Sequence, residues 1–103
     1  MYFVYIITNY TNTTFYVGVT NDLQRRILQH KSKILEGFSS KYCLKKLVYI
    51  EEFKNVNDAI YREKQLKKYR RSWKFNLIRE NNPSFDDLST NWFEESDAGT
   101  SPA

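Results

Sequence analysis

Three side chains have the chemistry to bind a phosphate group or a metal ion. Arg26 and His30 are four residues apart, so a helix would place both on one face, where they can meet the same ligand. The guanidinium of Arg26 is planar, permanently charged and suited to phosphate. Glu63 offers a carboxylate, the hard oxygen ligand that Mg²⁺ prefers, and one or two carboxylates can hold Mg²⁺ together with water and substrate phosphate.

Each of these residues also has an ordinary structural interpretation. Arg26 and Arg25 could form a solvent-exposed basic pair, and His30 could be a half-buried helix histidine. Glu63 could form an ion pair with Lys67, four residues later, which would add only a few tenths of a kcal/mol to helix stability. The residue types alone leave these alternatives open.

The basic residues are concentrated in the middle of the chain. All 16 Lys and Arg residues lie between Arg25 and Arg79, whereas only five acidic residues fall in that stretch. Such a block indicates a polyanionic partner, most commonly nucleic acid, although a solvated helix face is the alternative. The predicted contacts to a nucleic-acid backbone are Lys41, Lys45, Lys46, Lys64, Lys67, Lys68, Arg70 and Arg71.

The composition excludes several classes of protein. A chain of 103 residues and 12.4 kDa is long enough for one domain with a hydrophobic core. One cysteine (Cys43) and one histidine exclude an internal disulfide framework and a multi-cysteine zinc site. The apolar runs are shorter than the roughly 18 residues of a membrane helix, and the N-terminal segment lacks the pattern of a signal peptide. We therefore expect a reducing, cytoplasmic location.

The hydrophobic pattern predicts an α+β domain with element order ββαβαα and a small, three-stranded, mainly antiparallel sheet flanked by helices. Asn21 and Asn57 are placed to cap the first two helices, and Trp73, Phe75, Leu77 and Ile78 are predicted core residues. The domain should span residues 1–93, followed by an acidic, disordered tail at 94–103. The predicted strands are residues 2–8, 14–20 and 47–53. The first predicted helix runs from about residue 21 to 35 and the second from about 58 to 70, and the third begins near residue 72.

The two predicted hairpin strands carry a recognisable pair of half-motifs. Phe3-Val4-Tyr5, then ten residues, then Tyr16-Val17-Gly18 resembles the paired motifs of the GIY-YIG nuclease superfamily. Later segments continue the resemblance: QRRILQH, AIYREKQLKKY and LIRENNPSFDDL, which correspond to the first helix, the second helix and the closing segment of small single-domain members. The likeness covers about residues 2–90 and extends to the N-terminal nuclease domain of the excinuclease C subunit.

Two positions depart from the family pattern. Phe3 occupies the glycine position of the first half-motif. In the closing segment, Asp86 stands where several family nucleases carry a structural or catalytic asparagine, with Asn82 as a second candidate.

The resemblance implies a role for each candidate residue. It implies that Glu63 holds one Mg²⁺ or Mn²⁺ ion and that Arg26 and His30 contact the phosphate. It also implies that Tyr5 acts as the base and Tyr16 orients the water, although outside the motif both would be interpreted as core aromatic residues. Glycine at position 18 would allow the strand to approach a neighbour or the substrate closely.

The function that the resemblance implies is metal-dependent hydrolysis of DNA phosphodiester bonds. Cleavage would be structure-selective or weakly sequence-selective, in repair or recombination. RNA as a substrate and a partner protein for targeting are left open. The protein could act as a monomer or as a transient dimer. One alternative is a catalytically weak nucleic-acid-binding module of the same fold, in which exposed aromatic residues could stack on single-stranded bases. A protein-interaction domain is the other, and no sequence feature supports it. The combination of Glu63 with Arg26 favours the enzyme, because binding alone needs no carboxylate within a basic surface.

Overall fold

The computed structural model describes residues 1–31 and 44–92. Three predictions fall outside these ranges: the end of the first helix beyond residue 31, the nucleic-acid contact Lys41, and the acidic tail at 94–103.

The described residues form a three-stranded antiparallel sheet with its first strand in the middle. The strands β1 (Tyr2–Thr8), β2 (Phe15–Thr20) and β3 (Lys46–Phe53) are arranged in the order β2-β1-β3. Between β1 and β2, Asn12 donates its N–H to the carbonyl of Asn9 and adopts a φ of 58°, a left-handed conformation that asparagine tolerates. The predicted fold class is confirmed, because the aromatic and β-branched runs do form the strands.

Helix α1 (Leu23–Lys31) covers one face of the sheet. Successive side chains of a strand point to opposite faces, so Tyr5 and Ile7 lie on the same side of β1. Leu23 and Ile27, one turn apart on α1, pack against these two residues and form one hydrophobic cluster with them. Tyr5, the predicted base, is therefore held within the hydrophobic cluster between β1 and α1.

Two further helices, α2 (Val56–Lys67) and α3 (Arg71–Asn81), cover the other face of the sheet. Val4 and Ile6 of β1 are fully buried there. The helical residues that pack in the same cluster are Ala59, Leu66 and Ile78. The central strand is therefore buried on both faces, which fixes its register against β2 and β3. None of the helices in the described ranges has the length and apolar composition of a membrane span.

The first two helices begin one or two residues away from the predicted caps. Asp22 caps α1 instead of Asn21, because its carboxylate accepts the N–H of Arg25 at 3.2 Å. Asn55 caps α2 instead of Asn57, and its side-chain oxygen accepts the N–H of Asn57 at 2.7 Å. In both places two neighbouring residues have side chains that can cap, and the backbone conformation selects one of them.

Helix α3 is less buried than its apolar residues predict. Ile78 is fully buried, and Phe75 and Leu77 are partly buried against the same cluster. Trp73, however, is 52% exposed, so its assignment to the core is wrong. It lies in the first turn of α3, beside Tyr69 at the junction with α2, instead of over the sheet.

Asn82 fastens the segment after α3 to the sheet. Its buried amide donates to the carbonyl of Val48 at 3.2 Å and to that of Asp86 at 2.9 Å. Its side-chain oxygen accepts the N–H of Asp86 at 3.1 Å. Asp86 itself is exposed. The structural asparagine of this segment is therefore Asn82, the second of the two candidates.

Asp87 joins the same segment to β3 and to the end of α1. Its carboxylate accepts the N–H of Leu47 at 3.1 Å and the N–H of Ser89 at 3.0 Å, and it lies 2.6 Å from Nζ of Lys31. The N–H of Leu88 donates to the carbonyl of Leu47, so the segment also pairs with the β3 edge. Burial alone would raise the pKa of Asp87, but these hydrogen bonds lower it below its ordinary value.

We expect Asp87→Asn to lower the free energy of unfolding by about 1.5–3 kcal/mol at pH 7, since hydrogen bonds to a charged group are lost. The pKa of Asp87 is lowered in the folded state. Its contribution is therefore complete above the ordinary aspartate pKa of about 3.9, and it is lost as pH falls through the folded value. Urea unfolding at neutral and acidic pH measures this, with exposed Asp86→Asn as the control. Equal losses in both variants would contradict the assignment.

Candidate active site

Tyr5 and Gly18 face each other across β1 and β2, and the glycine leaves room for the phenol ring. The two residues are partners in the antiparallel register. A Cβ atom built on Gly18 would lie 2.4 Å from Oη and 2.5 Å from Cζ of Tyr5, closer than real Cβ contacts. Tyr5 is fully buried, so its ring cannot move aside without disturbing its neighbours. The close approach expected at Gly18 is thus an approach by the Tyr5 side chain.

His30 and two tyrosines form a cluster where β1, β2 and α1 meet. The Oη of Tyr5 lies 3.0 Å from Nε2 of His30, which is only 3% exposed. The Tyr16 ring is half-buried, with its centroid 6.4 Å from that of Tyr5 and 5.6 Å from that of His30. The structure therefore brings these three predicted residues together.

Arg26 lies beside this cluster and influences both of its buried groups. Its guanidinium is close enough to Tyr5 to stabilise the charged form of the phenol. Burial, with the positive charge of Arg26 as a second cause, lowers the pKa of His30 to about 4. Burial also raises the pKa of Tyr5 well above its ordinary value, Tyr16 and Glu63 add to this rise, and Arg26 opposes it. Both the imidazole and the phenol are therefore neutral at pH 7.

Glu63 on α2 acts on the cluster through its charge. The side chain is nearly buried, and its charge acts on Tyr5. Its Oε2 atom lies 2.5 Å from Nζ of Lys67, one turn later on the same helix. This contact raises the pKa of Lys67, to which the neighbouring Tyr16 also contributes. The local ion pair considered for Glu63 is thus present, and it lies at the candidate site.

The side chains around Glu63 suit Mg²⁺ or Mn²⁺ better than zinc. Among residues 1–31 and 44–92, no three His, Cys, Asp or Glu side chains are grouped so that they could hold a metal ion. Zinc sites use three or four such ligands, whereas Mg²⁺ is commonly held by one or two carboxylates plus water and substrate phosphate. A nearly buried carboxylate whose charge acts on the Tyr5 phenol fits the second pattern.

A polar cavity of about 200 Å³ opens beside Arg26. A phosphate that entered it would meet the guanidinium of Arg26 at its wall. The sequence motifs did not single out the other lining residues, because none has a distinctive spacing. They are Thr20, Asn21, Asp22, Arg25 and Gln29.

The predicted nucleic-acid contacts divide into two groups. Lys45 and Lys46 are half-buried at the start of β3, which β1 separates from Gly18 and Tyr16 of β2, so they are not brought to the site. Lys41 lies outside the described residues. The exposed group lies on α2 and at its junction with α3, and it consists of Lys64, Lys67, Lys68, Arg70 and Arg71.

This chain belongs to the GIY-YIG catalytic domain family, whose model matches residues 1–76. The family is one of nucleases, which generally use a divalent metal ion. The matched residues include the two tyrosines, Arg26, His30 and Glu63.

The similar proteins are small and of comparable length. A UPF0213 protein of Clostridium perfringens (strain 13 / Type A) is 38% identical over 82 residues, which cover 76% of this chain and 83% of that protein. A UPF0213 protein of Syntrophus aciditrophicus (strain SB) is 31% identical over 83 residues, 77% of this chain and 91% of the relative. Another UPF0213 protein, from Pediococcus pentosaceus, is 30% identical over 90 residues, which cover 84% of this chain and 90% of that protein. No solved structure gives a significant match.

We expect Gly18→Ala to lower the free energy of unfolding by about 1–3 kcal/mol, because the added Cβ would overlap the ring of Tyr5. In a Tyr5→Ala background the ring is absent, and the same Gly18→Ala change should cost less than about 0.5 kcal/mol. Urea unfolding of the four proteins completes a double-mutant cycle. An equal cost in both backgrounds would mean that the Tyr5 ring is not what excludes a side chain at position 18.

We expect the single histidine to titrate with a pKa of about 4, below the ordinary 6.5. The unfolded chain then takes up the proton first, so stability falls as pH drops from 6.5 toward 4. Arg26→Gln should raise the pKa of His30 by removing a positive charge, whereas Arg25→Gln, which changes an exposed neighbour, should leave it unchanged. NMR titration of the imidazole C–H signals measures these values. A wild-type pKa near 6.5 would contradict the buried, neutral imidazole.

Proposed function

We propose that this protein is a metal-dependent endonuclease that hydrolyses phosphodiester bonds in DNA. One observation carries the proposal: two phenols and a neutral imidazole form a cluster where two strands and α1 meet, and the charges of Arg26 on α1 and of Glu63 on α2 act on its buried phenol. Burial of polar groups costs free energy, and buried titratable groups with shifted pKa values are concentrated at functional sites. Membership of a nuclease family supports the same conclusion.

Arg26 is proposed to bind the phosphate that is attacked. Its side chain borders both the polar cavity and Tyr5, so the guanidinium can contact a phosphate oxygen while it remains beside the phenol. Because arginine stays charged, it can oppose the negative charge that develops on the phosphate oxygens during hydrolysis.

Tyr5 is proposed to remove a proton from the attacking water, and His30, buried against its hydroxyl, is proposed to assist it in place of the predicted phosphate contact. Burial raises the pKa of the Tyr5 phenol, so Oη carries a proton at neutral pH and must release it when it takes one from water. Nε2 of the neutral His30 lies 3.0 Å from Oη, and it can accept the phenolic proton while Oη takes one from water. Tyr16, whose ring lies beside both residues, would orient that water.

Glu63 is the proposed ligand for one Mg²⁺ or Mn²⁺ ion. When bound, the ion supplies positive charge beside the phosphate and makes water easier to deprotonate. Lys67 contacts the same carboxylate, and its side chain is 52% exposed, so it can turn outward when Glu63 changes partner. A single protein carboxylate should hold such an ion weakly unless DNA phosphate contributes.

The substrate class follows from the exposed basic group on α2 and at its junction with α3. Such contacts hold the DNA backbone without reading sequence, and they weaken as salt rises. We infer structure-selective or weakly sequence-selective cleavage, in repair or recombination in the cytoplasm, with a partner protein supplying further targeting.

A single site suits nicking of one strand by a monomer, or paired cuts by a transient dimer. Residues 1–93 would form the catalytic domain and 94–103 an acidic tail.

A catalytically weak nucleic-acid-binding module of the same fold is the second candidate. The ion pair of Glu63 with Lys67 favours it, because the lysine neutralises the carboxylate and so weakens its attraction for a metal ion. The two candidates differ in whether Glu63 binds a metal ion when DNA is present.

We expect the wild type to cut labelled branched, single-stranded or duplex DNA with Mg²⁺ or Mn²⁺. Glu63→Gln should lower the rate at least about 100-fold, because the charged ligand becomes a neutral amide. Asp58→Asn is the matched control, since it removes an exposed acid from the first turn of the same helix. Gel assays of cleavage, with circular dichroism to verify folding, measure the effect.

The binding of the same DNA separates the two candidates. Loss of cutting in Glu63→Gln with retained binding would support the nuclease. Salt-sensitive binding without cutting of any substrate would favour the binding module. Cutting that survives in Glu63→Gln would remove Glu63 from the site.

A further inference from the structure

We propose that a groove along α3, which begins at the connection from α2, binds an unpaired DNA base by stacking it on Trp73. This inference rests on the proposed function, because it assigns a position for a single-stranded part of the proposed DNA substrate. The groove has a volume of about 320 Å³, at the lower end of the range of small-ligand sites. Its lining residues are Tyr69, Trp73, Asn76, Leu77 and Glu80.

The indole of Trp73 is exposed, but its neighbours hold it in place. The Tyr69 ring packs edge-on against it, with centroids 5.5 Å apart and an interplanar angle of 86°. The guanidinium of Arg70 lies over the indole, 5.6 Å from its centroid. A large aromatic surface that is fixed before the ligand arrives loses little conformational entropy when a base stacks on it.

The charge around the groove favours a base inside it and phosphates outside it. Glu80 is part of the lining, and its carboxylate would repel a phosphate that entered. The amide of Asn76 and the carboxylate of Glu80 can instead hydrogen-bond the edge of a base. Arg71, exposed at the start of α3, can attract the backbone beside that base, while the guanidinium of Arg70 stays over the indole.

The base must be unpaired to use this surface. In a duplex, both faces of each internal base are covered by its neighbours, and extruding one costs a few kcal/mol. A flap, a bulge or a gap offers bases whose faces are already accessible. Tyr69, at one end of the groove, is two residues after Lys67, which contacts the proposed metal ligand Glu63. The groove would therefore favour DNA with a single-stranded segment over blunt duplex.

Fluorescence anisotropy with a labelled short oligo(dT) and with a blunt duplex of the same length tests this inference. Trp73→Ala should weaken binding of the oligo(dT) by about 5-fold to 150-fold, the range expected for one stacked base, and binding of the duplex by less than about 2-fold. Trp73→Phe, which keeps an aromatic plane, should retain most of the oligo(dT) affinity. Tyr10→Ala is the matched control, because Tyr10 is an exposed aromatic residue in the β1–β2 connection, outside the groove.

Tryptophan fluorescence supplies a second readout that a folding defect would not imitate. In a Trp92→Phe background Trp73 is the remaining tryptophan, and oligo(dT) should quench its emission by stacking. Circular dichroism verifies that each variant is folded.

Each outcome has a distinct meaning. If folded Trp73→Ala loses affinity for both DNAs equally, or for neither, or if Trp73 emission is unchanged by oligo(dT), the stacking site is wrong. If the wild type binds no DNA, both this inference and the proposed function are overturned. If Trp73-dependent binding is found but no substrate is cut, the stacking site stands and the nuclease proposal does not.

Discussion

The lack of a side chain at Gly18 determines where Tyr5 lies, and the other site residues are arranged around Tyr5. With its ring over Gly18, the phenol reaches His30 on α1 and the side chain of Arg26. A one-residue slip between β1 and β2 would place a β-branched side chain opposite Tyr5 and reverse which face each residue occupies. The same packing that buries β1 on both faces therefore also maintains the geometry of the site.

The sequence predicted the elements of this fold because their signals are local. Alternation and β-branched residues mark the strands, and apolar periodicity marks the helices. The errors fall where the result depends on distant neighbours. Trp73 has the spacing of a core residue, yet it lies at the helix junction beside Tyr69, away from the sheet. Asn82 and Asp86 are both plausible in the closing segment, and they are distinguished by the burial of Asn82 and its hydrogen bond to the carbonyl of Val48.

In the candidate site too, local interactions could be predicted from the sequence and interactions between distant residues could not. The ion pair of Glu63 with Lys67 could be foreseen, because both residues lie on one helix at a fixed spacing. The hydrogen bond between Tyr5 and His30 could not, since it joins a strand to a helix across 25 positions of the chain. Helical periodicity suggested a half-buried His30, and the covering tyrosines make it fully buried.

Burial acts on the two hydrogen-bonded groups in opposite directions and leaves both uncharged. It raises the pKa of the Tyr5 phenol and lowers that of the His30 imidazole, so at neutral pH the proton lies between two neutral groups. The hydrogen bond between Tyr5 and His30 therefore joins two uncharged groups, although the net charge of the chain is positive. Positive charge stays at the margin, on Arg26 and Lys67, where an incoming phosphate can meet it. A cluster that is neutral before the substrate binds, and bordered by cations, is therefore suited to respond to the negative charge that DNA brings.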